Sequence, residues 1–369
     1  MTISFSDIHV LHVLPDLGVE GYGVAAVVNG LLSGHKDLGQ PADVSTILSP
    51  WFPAHGKEVD IIHQHMIWLC HGSHASFLSK RSGAPLLITP HGALDPWSLT
   101  KSFWKKKLAW STSEFKKLQS AQCLQATSPF EKNYFRNLGL TQPIACIPNG
   151  LDISKYHLPT VIESKSFVAR YPELREKRCV LFLSRITKQK GLIPFLEAFA
   201  ELRGIFLGSD WHFLLAGSDK DRFLHSLRDF IYRLGIEKNV TVLPPLYGQE
   251  KQQAFAFAEV FVLPSFAEGF PMVVLEALAA GLPVISSTAS PWMSLPLENA
   301  GWWVEPTSHD LFNALKQMAS LSTPELVLMG QHGRKLIENN YSLSLVVSQL
   351  NELYSWLLNK GPCPGFVEL

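Results

Sequence analysis

Residues 260–287 read VFVLPSFAEGFPMVVLEALAAGLPVISS. The apolar run Val260–Leu263, closed by Pro264, predicts a buried strand. A Gly-containing loop follows, and a helix is expected from Pro271, because proline suits the first helical position. After Gly281 a second apolar run, Pro283–Ser286, predicts the next strand. Strand, loop, helix and strand in so short a span is the grammar of a parallel sheet with helices on its faces.

The start of that helix has a chemistry of its own. Its free N–H groups and positive dipole end favour a diphosphate or an electron-rich sugar. Glu276 lies about five residues into the helix, hence roughly 7–8 Å along its axis, while Glu268 stays in the loop. Two carboxylates at different depths suit different parts of an elongated ligand. Each also has a plainer reading, Glu268 as a solvated loop acid and Glu276 as an ordinary helix charge. Yet Glu276 stands between Leu275 and Ala277 in an otherwise apolar helix, so it requires a partner.

The same grammar extends in both directions. Upstream in the second half, strands are expected at Cys179–Leu183, His212–Ala216 and Val240–Leu243. The first half offers Ile8–Leu14, Asp43–Leu48, Asp60–Gln64, Pro85–Thr89, Cys123–Ala126 and Ile144–Ile147, with helices such as Gly23–Leu32 and Pro129–Leu138 between them. The weakly patterned stretch 148–178 reads as a linker. The expected class is therefore α/β, with two Rossmann-like, doubly wound domains facing a central cleft. The domains are expected at 1–165, joined by a C-terminal helix about 342–369, and at 166–341.

Composition narrows the classes of function. The 369 residues contain 32 Lys plus Arg and 32 Asp plus Glu, so no global field recruits nucleic acid. Five scattered cysteines without a C-x-x-C pair argue for a reducing compartment and against a zinc ribbon. The N-terminal stretch lacks a basic n-region, and the longest apolar run, Pro271–Ile285, is interrupted by Glu276. A cytoplasmic protein is expected, peripheral on a membrane face at most.

Other candidate sites read more weakly. His63, His65, His71 and His74 cluster, but no Asp or Glu follows at ligand spacing, so loop or acceptor-pocket histidines are the default over a metal site. Asp219-Lys220-Asp221 is expected to begin a helix, with Ser218 or Asp219 as N-cap. The glycines at 18, 21 and 23 have the reverse spacing of a dinucleotide fingerprint, and neither a G-x-S-x-G elbow nor a P-loop is present. The segment Lys101–Lys117, KSFWKKKLAWSTSEFKK, interleaves lysines with Phe103, Trp104, Trp110 and Phe115. It suits either an anionic leaflet or rings packed inward beneath snorkelling lysines.

The segment 265–284 resembles the E-x7-E signature of the retaining glycosyltransferase family 4, of GT-B fold. Residues 181–191, LFLSRITKQKG, resemble that family's G-R-x-x-x-x-K-G turn, and residues 147–152, IPNGLD, its interdomain P-N-G-(I/V)-D. The His63/His65 and Thr89-Pro90-His91-Gly92 segments sit where its first-domain histidines occur. The resemblance implies transfer of a sugar from a nucleotide-diphosphate donor to a glycan or lipid-linked hydroxyl, with retention and without metal or cofactor. Surface polysaccharide or lipopolysaccharide assembly is the implied setting.

The same resemblance implies the roles. Arg185 and Lys190 would neutralise the diphosphate and stabilise the leaving nucleotide. Glu276 would accept from the ribose hydroxyls, while Glu268 and the backbone N–H groups of Gly269, Phe270 and Met272 would hold the sugar. His91 would approach the sugar near the reacting centre. Gly21 and Gly23, in a Gly-Tyr-Gly loop, would come close to phosphate and acceptor. Two departures stand out: Pro271 replaces a glycine of many relatives and supplies no N–H, and Ser184 replaces the glycine before Arg185. An epimerase of the same fold and a degenerate binding module are the alternatives.

Overall fold

The computed structural model describes residues 7–16, 23–47, 58–68, 70–158, 160–205 and 211–369. The chain divides into two compact units, Met1–Asp152 with Tyr341–Leu369, and Ile153–Asn340.

The first unit holds parallel strands β1 (Val10–Val13), β2 (Ala42–Ser45), β3 (Ile61–His65), β4 (Leu86–Thr89), β5 (Cys123–Ala126) and β6 (Ile144–Cys146). Their order is β6-β5-β4-β3-β1-β2, and the C-terminal strand Val367–Glu368 adds antiparallel to β6. Strands β1, β3, β4 and β5 are buried along their whole length, as expected of parallel strands covered on both faces. Among their apolar side chains lie His12, His63 and His65, all buried. Helix Leu343–Leu357 belongs to this unit and packs on helix Gly23–Asp37. Leu151 and Leu343 tie the returning chain in place through reciprocal bonds, Leu151 N–H to Tyr341 O and Leu343 N–H to Leu151 O, each 2.9 Å.

The second unit holds β7 (Arg178–Leu183), β8 (Trp211–Ala216), β9 (Val240–Leu243), β10 (Val260–Leu263), β11 (Val284–Ser287) and β12 (Gly301–Val304). The order β12-β11-β10-β7-β8-β9 is parallel throughout and reverses direction between β7 and β10. Phe182, Phe213 and Phe261 from this sheet and Phe195, Phe199 and Phe255 from its helices are fully buried. Each such ring contributes roughly 1.5–3 kcal/mol relative to exposure.

Three expectations need correction. The boundary falls after Asp152 rather than at 165. Helix Val161–Arg170 is fixed to the second unit: a Thr160/Glu163 capping box starts it, and Phe167 packs on Phe257 with ring centroids 5.2 Å apart. The stretch 148–178 is thus largely structured rather than a bare linker. Finally, the helix after β8 starts at Leu224, and Asp219 instead accepts the N–H of Phe223 at 2.7 Å.

Candidate functional site

In the second unit the loop between β10 and the signature helix is stitched to the turn after β7. Lys188–Lys190 form a 3-10 turn closed by Gly191, whose φ is +64°. Phe266 N–H donates to Gln189 O at 2.8 Å, and Gln189 Nε2 returns a bond to Ala267 O at 2.9 Å. Ser287 Oγ on β11 donates to Ser265 O at 2.5 Å, and Glu268 N–H to Ala289 O at 3.1 Å. Two segments distant in sequence, the turn at Gln189 and the stretch from Ser287 to Ala289, therefore hold one loop.

That stitching brings two of the expected residues together. Lys190 Nζ lies 2.5 Å from Glu268 Oε1, with the side chains only 7% and 10% exposed. Ser265 Oγ donates to the same oxygen at 2.6 Å. A buried ammonium–carboxylate pair of this kind survives desolvation only with further hydrogen bonds, which Ser265 supplies. An anionic ligand reaching Lys190 would compete directly with Glu268.

The signature helix spans Met272–Ala279, with Pro271 as its N-cap rather than its first helical residue. The N–H groups of Gly269, Met272 and Val273 have no partner among the described residues. Such unclaimed donors at a helix start suit an anion or a sugar oxygen. Phe270 rests its ring against buried Trp292, 5.3 Å between centroids.

Glu276 has the partner its apolar helix requires. Lys251, on helix Gly248–Phe257, makes an ion pair with Oε2, and Tyr156 OH donates to Oε1 at 3.0 Å. Arg334 then anchors Tyr156, its Nη1 donating to Tyr156 O at 2.8 Å and to Ala279 O at 2.6 Å. Arg185 differs from these residues. It is exposed and meets no partner among the described residues.

The sequence reading missed Gln189, Ser265, Lys251, Tyr156 and Arg334. Gln189 and Ser265 lie inside the two motifs and were legible as neighbours of charged residues. The other three come from distant segments, and no local pattern marks them.

In the first unit His91 has φ +54°, a conformation sparsely populated by non-glycine residues that costs of order 1–3 kcal/mol. Gly92 follows at φ +74°, and its N–H donates to Glu131 Oε1 at 2.6 Å. Thr127 N–H and Oγ1 hold Glu131 Oε2 at 2.7 and 2.8 Å. Burial raises the pKa of Glu131. His91 Nε2 is 3.0 Å from His65 Nδ1. Burial pushes His91 down to about 3 and, with neighbouring imidazoles, holds His12, His63 and His65 well below the ordinary range.

His12, His63 and His65 place ligand-capable nitrogens within 4.8 Å of one another. Both nitrogens of His63 and of His65 are already engaged in hydrogen bonds. Of the expected histidines, His71 instead meets the carbonyl of His65, at 2.9 Å. Gly21 lies outside the described residues. Gly23 opens the first helix, where a Cβ would meet nothing within 4 Å.

The helical stretch beginning at Phe103 divides its rings. Phe103, Trp104 and Leu108 are exposed, whereas Trp110 and Phe115 pack against the core of the first unit. Lys106 turns inward, donating to Ser98 O at 2.5 Å and lying 5.5 Å from the Trp68 ring centroid. No described helix is long and apolar enough to cross a membrane.

Two sequence families match the chain: "Glycosyltransferase Family 4" over residues 8–155 and "Glycosyl transferases group 1" over residues 165–340. D-inositol 3-phosphate glycosyltransferase of Paenarthrobacter aurescens is 29% identical over 63% of this chain and 57% of its own. GDP-mannose:cellobiosyl-diphosphopolyprenol alpha-mannosyltransferase of Xanthomonas campestris is 26% identical over 66% and 60%. The chain spans between 34% and 60% of the length of these curated relatives and an uncharacterized Methanocaldococcus jannaschii glycosyltransferase. In fold it is similar to Anabaena HepE in complex with UDP and glucose, with TM-score 0.74, 18% identity, and 95% and 100% of the two chains covered.

Proposed function

We propose, from the premise that the chain belongs to the group 1, family 4 glycosyltransferases, that it takes its sugar from a nucleoside-diphosphate donor held at Lys190 and the Met272 helix start. The observation that carries this placement is the buried Lys190–Glu268 pair beside N–H groups with no described partner. Donor diphosphate would draw Lys190 from Glu268, and Glu268 would turn to the sugar hydroxyls. Exposed Arg185 would add the second cation. Glu276, oriented by Tyr156 and Lys251, would accept from the ribose.

The transfer is read as retaining and metal-free. The bond from the anomeric carbon to the diphosphate oxygen breaks, the acceptor oxygen bonds to that carbon on the same face, and the acceptor's proton passes to the departing phosphate. The two cations stabilise the charge that develops on the leaving group. A glycan or lipid-linked acceptor fits best, by analogy with the cellobiosyl-diphosphopolyprenol named for the Xanthomonas enzyme, and surface polysaccharide or lipopolysaccharide assembly is the proposed setting.

Thermal stabilisation by UDP, GDP and ADP tests the donor site. Ligand at about 100 times its dissociation constant adds nearly 3 kcal/mol, read as a raised melting midpoint. One base is expected to shift the midpoint, and Arg185→Ala/Lys190→Ala to abolish the shift. No shift with any nucleotide overturns the assignment.

An anionic leaflet is the proposed docking surface for the exposed Phe103, Trp104 and Leu108, with Lys101, Lys105 and Lys107 beside them. A surface lysine contributes about 1 kcal/mol on such a leaflet, so Lys101/Lys105/Lys107→Glu should weaken binding to phosphatidylserine vesicles by about 100-fold or more. Unchanged binding removes the membrane from the reading.

A further inference from the structure

Two hydrogen-bonded chains run through the histidine core of the first unit, and chemistry fixes the protons of one. Gln125 Nε2 meets Ile147 O at 3.0 Å, and a carbonyl only accepts. The amide oxygen of Gln125 therefore faces Thr89 Oγ1, which donates to it at 2.8 Å. Thr89, its one proton used, accepts at 2.8 Å from His63 Nε2–H. Neutral His63 then has a bare Nδ1, which accepts the Tyr354 hydroxyl at 2.9 Å.

The other chain is made of three imidazoles. His12 Nδ1 is 2.9 Å from His65 Nε2, and His65 Nδ1 is 3.0 Å from His91 Nε2. Burial keeps all three rings neutral, so each carries one N–H and each tautomer dictates the next. Only two ordered states exist. In one, His12 and His65 donate from Nδ1, and His91 keeps its proton on Nδ1. In the other every bond reverses, and His12 ends with its proton on Nε2. That atom is buried without a partner. An orphaned buried N–H is the rarer and costlier defect, whereas an unfilled acceptor is more often tolerated.

We infer that His12 and His65 are positioning residues that lock His91 in its Nδ1–H tautomer, so that His91 offers a ligand a hydrogen-bond donor. His91 Nδ1 has no partner among the described residues, and the ring is only half-buried. It lines a small crevice with Gln125, Asn149 and Gly150. The chemical group that fits is an electron-rich oxygen, a sugar hydroxyl or a phosphoryl oxygen. A proton to be abstracted does not fit, because the facing nitrogen already holds one. The identity of the ligand rests on the glycosyl-transfer reading; the tautomer does not.

Two-bond 1H–15N correlation on the full chain with 15N-labelled histidine, without nucleotide, reads the tautomers directly. His91, assigned by its loss in His91→Gln, is expected with a protonated Nδ1 and a bare Nε2. His65→Phe is expected to release it toward the Nε2–H form that free histidine favours, and His12→Phe to do so while leaving the His65–His91 contact in place. A wild-type His91 protonated on Nε2 overturns the inference, as does an unchanged His91 in both variants. If His65→Phe does not fold, the wild-type spectrum and His12→Phe decide. A correct tautomer alongside absent nucleotide binding would leave the relay standing and remove the transfer reading.

Discussion

Lys190→Ala is expected to lower turnover by about 10²-fold or more, the loss typical of removing one preorganised group that meets charge developing in a transition state. Stability complicates the variant. Lys190 is buried against Glu268, and removing one partner of such a pair typically costs about 3–5 kcal/mol by leaving a charge uncompensated. Ser265 would be the remaining described partner of the Glu268 carboxylate. Lys190→Ala/Glu268→Gln should therefore recover most of the melting midpoint lost in Lys190→Ala. Arg185→Ala separates the two effects from the other side. Arg185 is exposed with no described partner, so its loss should leave stability within about 0.5 kcal/mol while turnover falls. Steady-state rates measured well below each variant's midpoint check both. An undiminished rate in Lys190→Ala would sink the diphosphate role, whatever the midpoint does.

The contrast between Lys190 and Arg185 also shows how far the sequence reads. A parallel strand buried on both faces is a continuous apolar run, so Val260–Leu263 is placed to the residue by composition alone, and the bounds of Cys123–Ala126 and of the half-buried edge strand Val240–Leu243 also match despite Gln125 and Thr241. The edge strand Gly301–Val304 escaped, because a glycine and two tryptophans in so short a run do not separate strand from loop. The partners of Glu276 were equally out of reach. Burial demanded a cation, but which cation depends on where helix Gly248–Phe257 packs, a tertiary fact that period and propensity do not carry. The helix Val161–Arg170 shows the opposite failure. Its Thr160/Glu163 capping box was legible, yet a weak apolar face made the surrounding stretch read as a linker. Motif residues could be assigned roles by resemblance, but their present partners could not be read. Nothing in the spacing of Lys190 and Glu268 says that they meet.

Gly191→Ala is expected to cost the second unit about 3 kcal/mol or more, against roughly 1–2 kcal/mol for Gly235→Ala. The two glycines have nearly the same backbone, φ +64° and +65°, so the left-handed penalty of a Cβ is common to both. Their surroundings differ. A Cβ on Gly191 would lie 1.9 Å from Pro264 O, while one on Gly235 would meet nothing within 4 Å. The carbonyl of Pro264 cannot swing aside cheaply, because it ends β10 and leads into the loop that Gln189 and Ser287 hold. Relief must come by moving the 188–191 turn outward, which pulls Lys190 from Glu268. Stability and donor binding should thus fail together in Gly191→Ala. The midpoint is expected to fall by about 6–12 °C, taking about 2–4 °C per kcal/mol for a unit of this size, and nucleotide-induced stabilisation should disappear. Gly235→Ala should lose a third to two thirds of that in midpoint and keep its nucleotide shift. Equal losses in the two variants would mean that the close approach of the Lys190 turn to β10 does not hold the site, and that backbone strain alone accounts for the glycine.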